Sequence, residues 1–224
     1  MQLSGIFLDF DGVISQNSPQ LMIQWLHDYA RRVSGLPIGE EIMRGLGTWG
    51  TAFPPRDLLN LFFRSFGILV EVGEVQQLMH REISPAIQID PAFTRLIESC
   101  NQQGIQLKVL SQRSATTGTF NQLHHVPGLE LHMICSTQGL SKANPECYRQ
   151  VGQSLGLDLS SWLMVDDSPY ALRGAKLAGL KTALMVTSNF NVEDYLHYQD
   201  LIDLRLSSLA DLLPVIKSPV TLAS

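Results

Sequence analysis

Short apolar segments that alternate with helix-period segments constrain this chain more than any other feature. Leu3–Leu8, Ile105–Leu110, Leu131–Ile134, Trp162–Val165 and Lys181–Val186 are brief, mainly apolar runs of the kind that form buried strands. Between them, apolar residues recur at helical spacing: Phe93, Leu96, Ile97 and Cys100, then Tyr148, Val151 and Leu155, then Leu172, Ala175, Leu177 and Ala178. Strands alternating with helices predict an α/β fold: a Rossmann-like parallel sheet with helices on both faces. Such sheets bind ligands beyond the carboxyl ends of their strands.

Residues 17–84 break the alternation. Pro19–Val33, Gly39–Leu46, Pro55–Phe66 and Glu71–His80 read as consecutive helices jointed at Gly and Pro, with no strand among them. This pattern predicts an inserted, all-helical cap over 17–84 on a catalytic core formed by 1–16 and 85–224. The tail from Lys217 is expected to fray.

Composition narrows the function classes. With 45% hydrophobic residues in 224, the chain can bury a sizeable core. A formal net charge of −5 gives no basic surplus for nucleic acid. No apolar run reaches the roughly 20 residues that span a membrane. The first apolar stretch is interrupted at once by Asp9 and Asp11, unlike a secretory signal. Cys100, Cys135 and Cys147 are widely spaced and match no zinc pattern. Reduced cysteines and a cytoplasmic protein are the expectation.

Four polar stretches carry chemistry. Asp9-Phe10-Asp11-Gly12-Val13 follows the first strand. Two carboxylates there can attack phosphorus, move a proton or hold a hard cation, although a turn with two solvated aspartates is spelled the same way. Ser111 ends the second core strand, placed to donate to a phosphoryl oxygen or simply to cap a turn. Lys142 precedes a helix opened by Pro145, either as a surface charge or as a cation facing anionic groups. Asp166-Asp167-Ser168-Pro169 again runs from an apolar strand into carboxylates, which suits either a helix cap or a divalent cation. Each has a structural reading alone. Taken together, all four fall at one crevice of one predicted sheet.

This combination resembles the haloacid dehalogenase superfamily over essentially the whole chain. The residues that carry the likeness are Asp9-Phe10-Asp11-Gly12-Val13, Ser111, Lys142 in Lys142-Ala143-Asn144-Pro145-Glu146-Cys147-Tyr148, and Asp166-Asp167-Ser168. The helical insert looks like the small cap of the subgroup with phosphoglycolate phosphatases and β-phosphoglucomutases. Ala175–Leu180 resembles the helix that follows the last motif in that subgroup.

The resemblance implies a phosphatase acting on a small phosphorylated metabolite. Asp9 is the nucleophile that forms an aspartyl-phosphate, and Asp11 protonates the leaving alcohol and then activates water. Ser111 and Lys142 hold the phosphoryl oxygens. Mg²⁺ is bound by Asp9, the Asp11 backbone carbonyl and Asp167, with Asp166 as a further ligand or a neighbouring partner. Four carboxylates against Lys142 leave a formal charge of about −3, which Mg²⁺ relieves. The presence of Asp11 disfavours dehalogenation, since a departing halide needs no proton.

Gln16 replaces an acidic residue common in relatives, and Ala143 stands where a proline usually follows the lysine. Both weaken a phosphosugar mutase reading, which stays as the alternative beside a non-catalytic binding module. In the cap, Arg44 within Arg44-Gly45-Leu46-Gly47-Thr48-Trp49-Gly50 is the candidate for a second anionic group on the substrate.

Overall fold

The computed structural model describes residues 3–50, 53–113, 129–133, 140–187 and 196–217, of which 44, 47–49 and 129–133 are described by backbone alone. Six parallel strands form one sheet in the order β3-β2-β1-β4-β5-β6. They are β1 (Gly5–Leu8), β2 (Gln106–Ser111), β3 (Leu129–Met133), β4 (Trp162–Asp166), β5 (Lys181–Met185) and β6 (Leu204–Leu206). Strand β1 lies between β2 and β4, with Leu8 opposite Val109 on one side and Val165 on the other. The strand order turns outward in both directions from β1, the arrangement that opens a ligand crevice at the carboxyl ends.

Helices cover both faces because the strands are apolar on both. On one face Ile6, Leu8, Val109, Leu163, Val165 and Ala183 pack against Phe93, Leu96 and Ile97 of α5 (Ala92–Gln102). On the other, Phe7, Leu110, Met164 and Leu184 meet Tyr148 and Val151 of α6 (Pro145–Leu155) and Leu172 and Ala175 of α7 (Pro169–Leu177). A last short helix, α8 (Leu212–Lys217), adds Leu212 and Ile216 to the first face.

Between β1 and α5 the chain forms α1 (Ser18–Ser34), α2 (Glu40–Trp49), α3 (Pro55–Ser65) and α4 (Val72–Ile83). They enclose an apolar cluster of their own, including Leu26, Ala30, Phe62, Phe63 and Met79. Ile87, after α4, packs against both this cluster and the sheet core. The edge strand β6 and helix α8 have no counterpart in the sequence expectation. Leu204-Arg205-Leu206 is only three residues long, too short to show a period. Among the described residues no helix is long and apolar enough to cross a membrane.

Candidate active site

Asp9 and Asp11 follow β1, Ser111 closes β2, Asp166 closes β4 with Asp167 next, and Lys142 lies just ahead of α6. The fold therefore brings every core position singled out in the sequence to one end of the three central strands. All but Asp11 are buried in the protein: Asp9, Ser111, Lys142, Asp166 and Asp167 are at most 7% exposed.

Lys142 organises the centre. Its ammonium lies 2.8 Å from Asp9 Oδ1 and 2.6 Å from Asp166 Oδ2. Burial lowers the proton affinity of an ammonium, but these two carboxylates outweigh it and hold Lys142 above the ordinary lysine range. Asp166 Oδ1 accepts the Ser168 backbone N–H at 2.9 Å, so both of its oxygens are engaged. Ser168 itself caps α7, its hydroxyl accepting from Ala171. The Asp-Asp-Ser-Pro run is thus a helix cap and a site wall at once.

Asp9 is pushed well above the usual carboxylate range, first by burial, with Lys142 opposing and Asp166 and Asp11 adding repulsion. A buried acid kept this uncomfortable calls for more positive charge than Lys142 supplies. Asp9, Asp166 and Asp167 each offer an oxygen, and these oxygens lie within 4.8 Å of one another. An all-oxygen set with spare negative charge fits a hard divalent cation. Lys142 and Ser168 engage both oxygens of Asp166, Lys142 also engages Asp9 Oδ1, and Asp167 Oδ2 accepts the Thr187 hydroxyl at 3.3 Å.

Gly12 fixes this arrangement. Its φ of +84° lies in the left-handed region, and a Cβ there would fall 2.1 Å from Asp167 Oδ2. Gly12→Ala is therefore expected to lower stability by at least about 2 kcal/mol, from backbone strain plus displacement of Asp167. Urea unfolding checks this, and an unchanged midpoint would show that the turn relaxes freely.

Arg113 was not singled out in the sequence. Its Nε and Nη2 donate to Asp11 Oδ2 at 2.6 Å and Oδ1 at 2.5 Å, a bidentate fork. Its guanidinium carbon stands 4.9 Å from the centre of the Phe10 ring. Asp11 Oδ1 also accepts the Ser18 hydroxyl of α1 at 2.5 Å. Burial raises Asp11, but Arg113 and Ser18 prevail and hold it below the usual carboxylate range. Arg113 lies two residues beyond Ser111, whose hydroxyl accepts the Arg113 backbone N–H at 3.2 Å. A cation in the turn after a core strand was the available signal. It also changes the charge count, since four carboxylates face two cations rather than one.

Arg44 lies on α2, with its side chain outside the described residues. Of the cysteines, Cys100 and Cys147 are free and buried, and burial pushes both thiols up to about 12. Cys135 lies outside the described residues.

Comparison with known proteins agrees with this geometry. The family model for haloacid dehalogenase-like hydrolases matches residues 3–179. Phosphatase MT3486 of Mycobacterium tuberculosis is 26% identical over 198 residues, covering 83% of this chain and 88% of that protein. The crystal structure of CbbY from Rhodobacter sphaeroides in complex with phosphate superposes with a TM-score of 0.73 at 18% identity, covering 94% of this chain and 96% of that one. A β-phosphoglucomutase-like structure from Thermotoga maritima gives 0.67 at 18% identity, over 98% and 100% of the two chains. At those identities the structures share the fold. The matched model and the chemistry gathered around Lys142 lead to one conclusion: this chain belongs to the haloacid dehalogenase-like hydrolases.

Proposed function

We propose that the chain is a Mg²⁺-dependent phosphatase that hydrolyses a small-molecule phosphate monoester through an aspartyl-phosphate at Asp9. The observation that carries this reading is Asp9 itself. It is a buried carboxylate at the end of the central strand, 2.8 Å from the Lys142 ammonium and grouped with Asp166 and Asp167. The phosphatase relative MT3486 supports the reaction class.

Asp9 attacks phosphorus in line and displaces the alcohol, forming the acyl phosphate. Lys142 and the Ser111 hydroxyl take the phosphoryl oxygens, where charge accumulates. Asp166 is a positioning residue that holds Lys142 toward Asp9. Asp11 handles the proton, first giving one to the leaving oxygen and then taking one from the attacking water. Held by Arg113, it is a carboxylate, the form the second half-reaction needs; to serve the first half it must first take up a proton from solvent, which requires the fork to loosen, and it returns to the carboxylate when that proton passes to the leaving oxygen. Asp9, Asp167 and the Asp11 main-chain carbonyl would hold Mg²⁺, which supplies the positive charge that lets a dianionic ester enter this acidic crevice. The helices over 17–84 form a cap that closes on the substrate and excludes water. Arg44 and the core residue Arg113 are its candidate contacts.

Phosphate release from a panel of small esters, with Mg²⁺ and with chelator, tests the function. The ligand assignment is tested by calorimetric titration of Mg²⁺, independently of turnover. Asp167→Asn is expected to weaken binding at least about ten-fold, while Asp166→Asn weakens it less and instead frees Lys142. The reverse order would exchange the roles of the two aspartates.

A further inference from the structure

Strand β5 continues past its last paired residue into Val186 and Thr187, and Thr187 reaches the acidic cluster. Its hydroxyl donates to Asp167 Oδ2 at 3.3 Å. The segment that carries it is braced. The Val186 backbone N–H donates to the Leu206 carbonyl at 2.8 Å, so the edge strand β6 pins the extension of β5. Asp167 also lies against Gly12, where a Cβ would fall 2.1 Å from Oδ2 and 2.8 Å from Oδ1. Glycine backbone and threonine hydroxyl together restrict how this carboxylate can turn.

Asp9 is restricted in the same sense, because the Lys142 ammonium holds its Oδ1 at 2.8 Å. Asp166 gives one oxygen to Lys142 and the other to the Ser168 N–H. Every carboxylate of the cluster therefore has at least one oxygen engaged by the protein. That pattern bears on which cation the cluster accepts. Ca²⁺ takes about six to eight oxygens in flexible geometry and often chelates both oxygens of one carboxylate. Mg²⁺ is smaller and demands a near-ideal octahedron. Carboxylates that present one oxygen from a fixed direction suit the second ion better than the first.

We propose that Thr187 is a positioning residue for the cation: by holding Oδ2, it restricts Asp167 to one-oxygen ligation and so favours Mg²⁺ over Ca²⁺. The inference rests on the phosphatase reading above, which assigns Mg²⁺ to Asp9 and Asp167. Lys142 restricts Asp9 likewise, but it also faces the phosphoryl group, whereas Thr187 acts only through Asp167. The role brings the β5–β6 edge of the sheet into the site, outside the four polar stretches that carry the chemistry.

The test is a pair of calorimetric titrations, Mg²⁺ and Ca²⁺ separately into chelator-treated protein at one ionic strength. Their quotient gives the preference between the two ions without reference to turnover. Wild type is expected to bind Mg²⁺ the more tightly. Thr187→Val, which keeps the shape and removes the donor, should lower that preference at least about five-fold, toward the low end of the effects of partners of metal ligands. Thr187→Ser keeps the hydroxyl and should stay within about two-fold of wild type. In parallel, Ca²⁺ should inhibit Mg²⁺-supported phosphate release at a lower concentration in Thr187→Val than in wild type. Circular dichroism and thermal unfolding in chelator verify that both variants are folded. An unchanged preference in folded Thr187→Val, or an equal loss in Thr187→Ser, would overturn the role of the hydroxyl. So would a wild type that prefers Ca²⁺. In any of these cases, Mg²⁺-dependent turnover that needs Asp9 would leave the phosphatase reading standing. A wild type that binds neither ion and releases phosphate equally in chelator would overturn the Mg²⁺ assignment and this inference with it.

Discussion

Asp9→Asn should reduce phosphate release by on the order of 10⁴-fold or more and leave the thermal midpoint, measured in chelator, within a few degrees of wild type. Loss of the proposed nucleophile accounts for the first effect. The second comes from the charge balance of the site. Burial drives the Asp9 carboxyl well above the usual carboxylate range, with Lys142 opposing and repulsion from Asp166 and Asp11 adding to the shift. An amide of the same shape removes those penalties. Lys142 loses one partner but keeps Asp166 at 2.6 Å, so no buried ammonium is stranded. Calorimetric unfolding and a phosphate-release assay on the same preparation separate the two effects. Retained turnover would mean that Asp9 does not attack phosphorus. Lost turnover with a collapsed midpoint would mean that Asp9 is chiefly a structural partner of Lys142.

The sheet was legible in the sequence because parallel strands buried on both faces are short apolar runs, and because each run here ends abruptly in polar residues. Leu8 into Asp9 and Val165 into Asp166 mark both the strand ends and the site. The starts of α3 and α6 were legible for a related reason, since Pro55 and Pro145 open helices, whereas the reading Glu71–His80 stops three residues short of the end of α4 at Ile83. What escaped is of a different kind. Arg113 matters through the three-dimensional fork it makes with Asp11, 102 residues earlier, and a cation in a turn has no periodicity that announces this. His80 sits on the apolar stripe of an ordinary amphipathic helix, and only the packed fold shows that it is buried there. Asp166 and Asp167 are adjacent and chemically identical in the sequence. Their difference arises because the strand ends at Asp166, turning it toward Lys142 and the cap of α7, while Asp167 packs against Gly12.

Lys142→Met is expected to lower stability by about 3–5 kcal/mol at pH 8 in chelator, the cost of leaving buried charge uncompensated, and the deficit should shrink toward pH 5. The sign follows from proton linkage. In wild type the two aspartates raise Lys142 above its ordinary value, so its stabilisation is complete below the unfolded lysine pKa of about 10.4 and is lost only as pH climbs through the folded value. Between pH 5 and 8 that contribution is constant. In the variant, Asp9 and Asp166 face each other with no cation between them, and the folded site takes up a proton that the unfolded chain releases above about pH 4. The folded state then binds more protons than the unfolded one throughout this window, and stability falls as pH rises. Urea midpoints at half-unit pH steps check the slope, and a deficit independent of pH would show that Lys142 does not govern the ionisation of these acids. Saturating Mg²⁺ adds a second discriminator. It should recover part of the lost stability, because Asp9 and Asp167 remain to bind it. It should not recover turnover, because the ammonium proposed to receive the phosphoryl oxygens is gone. Full rescue of turnover by Mg²⁺ would reduce Lys142 to a counter-ion that the metal can replace.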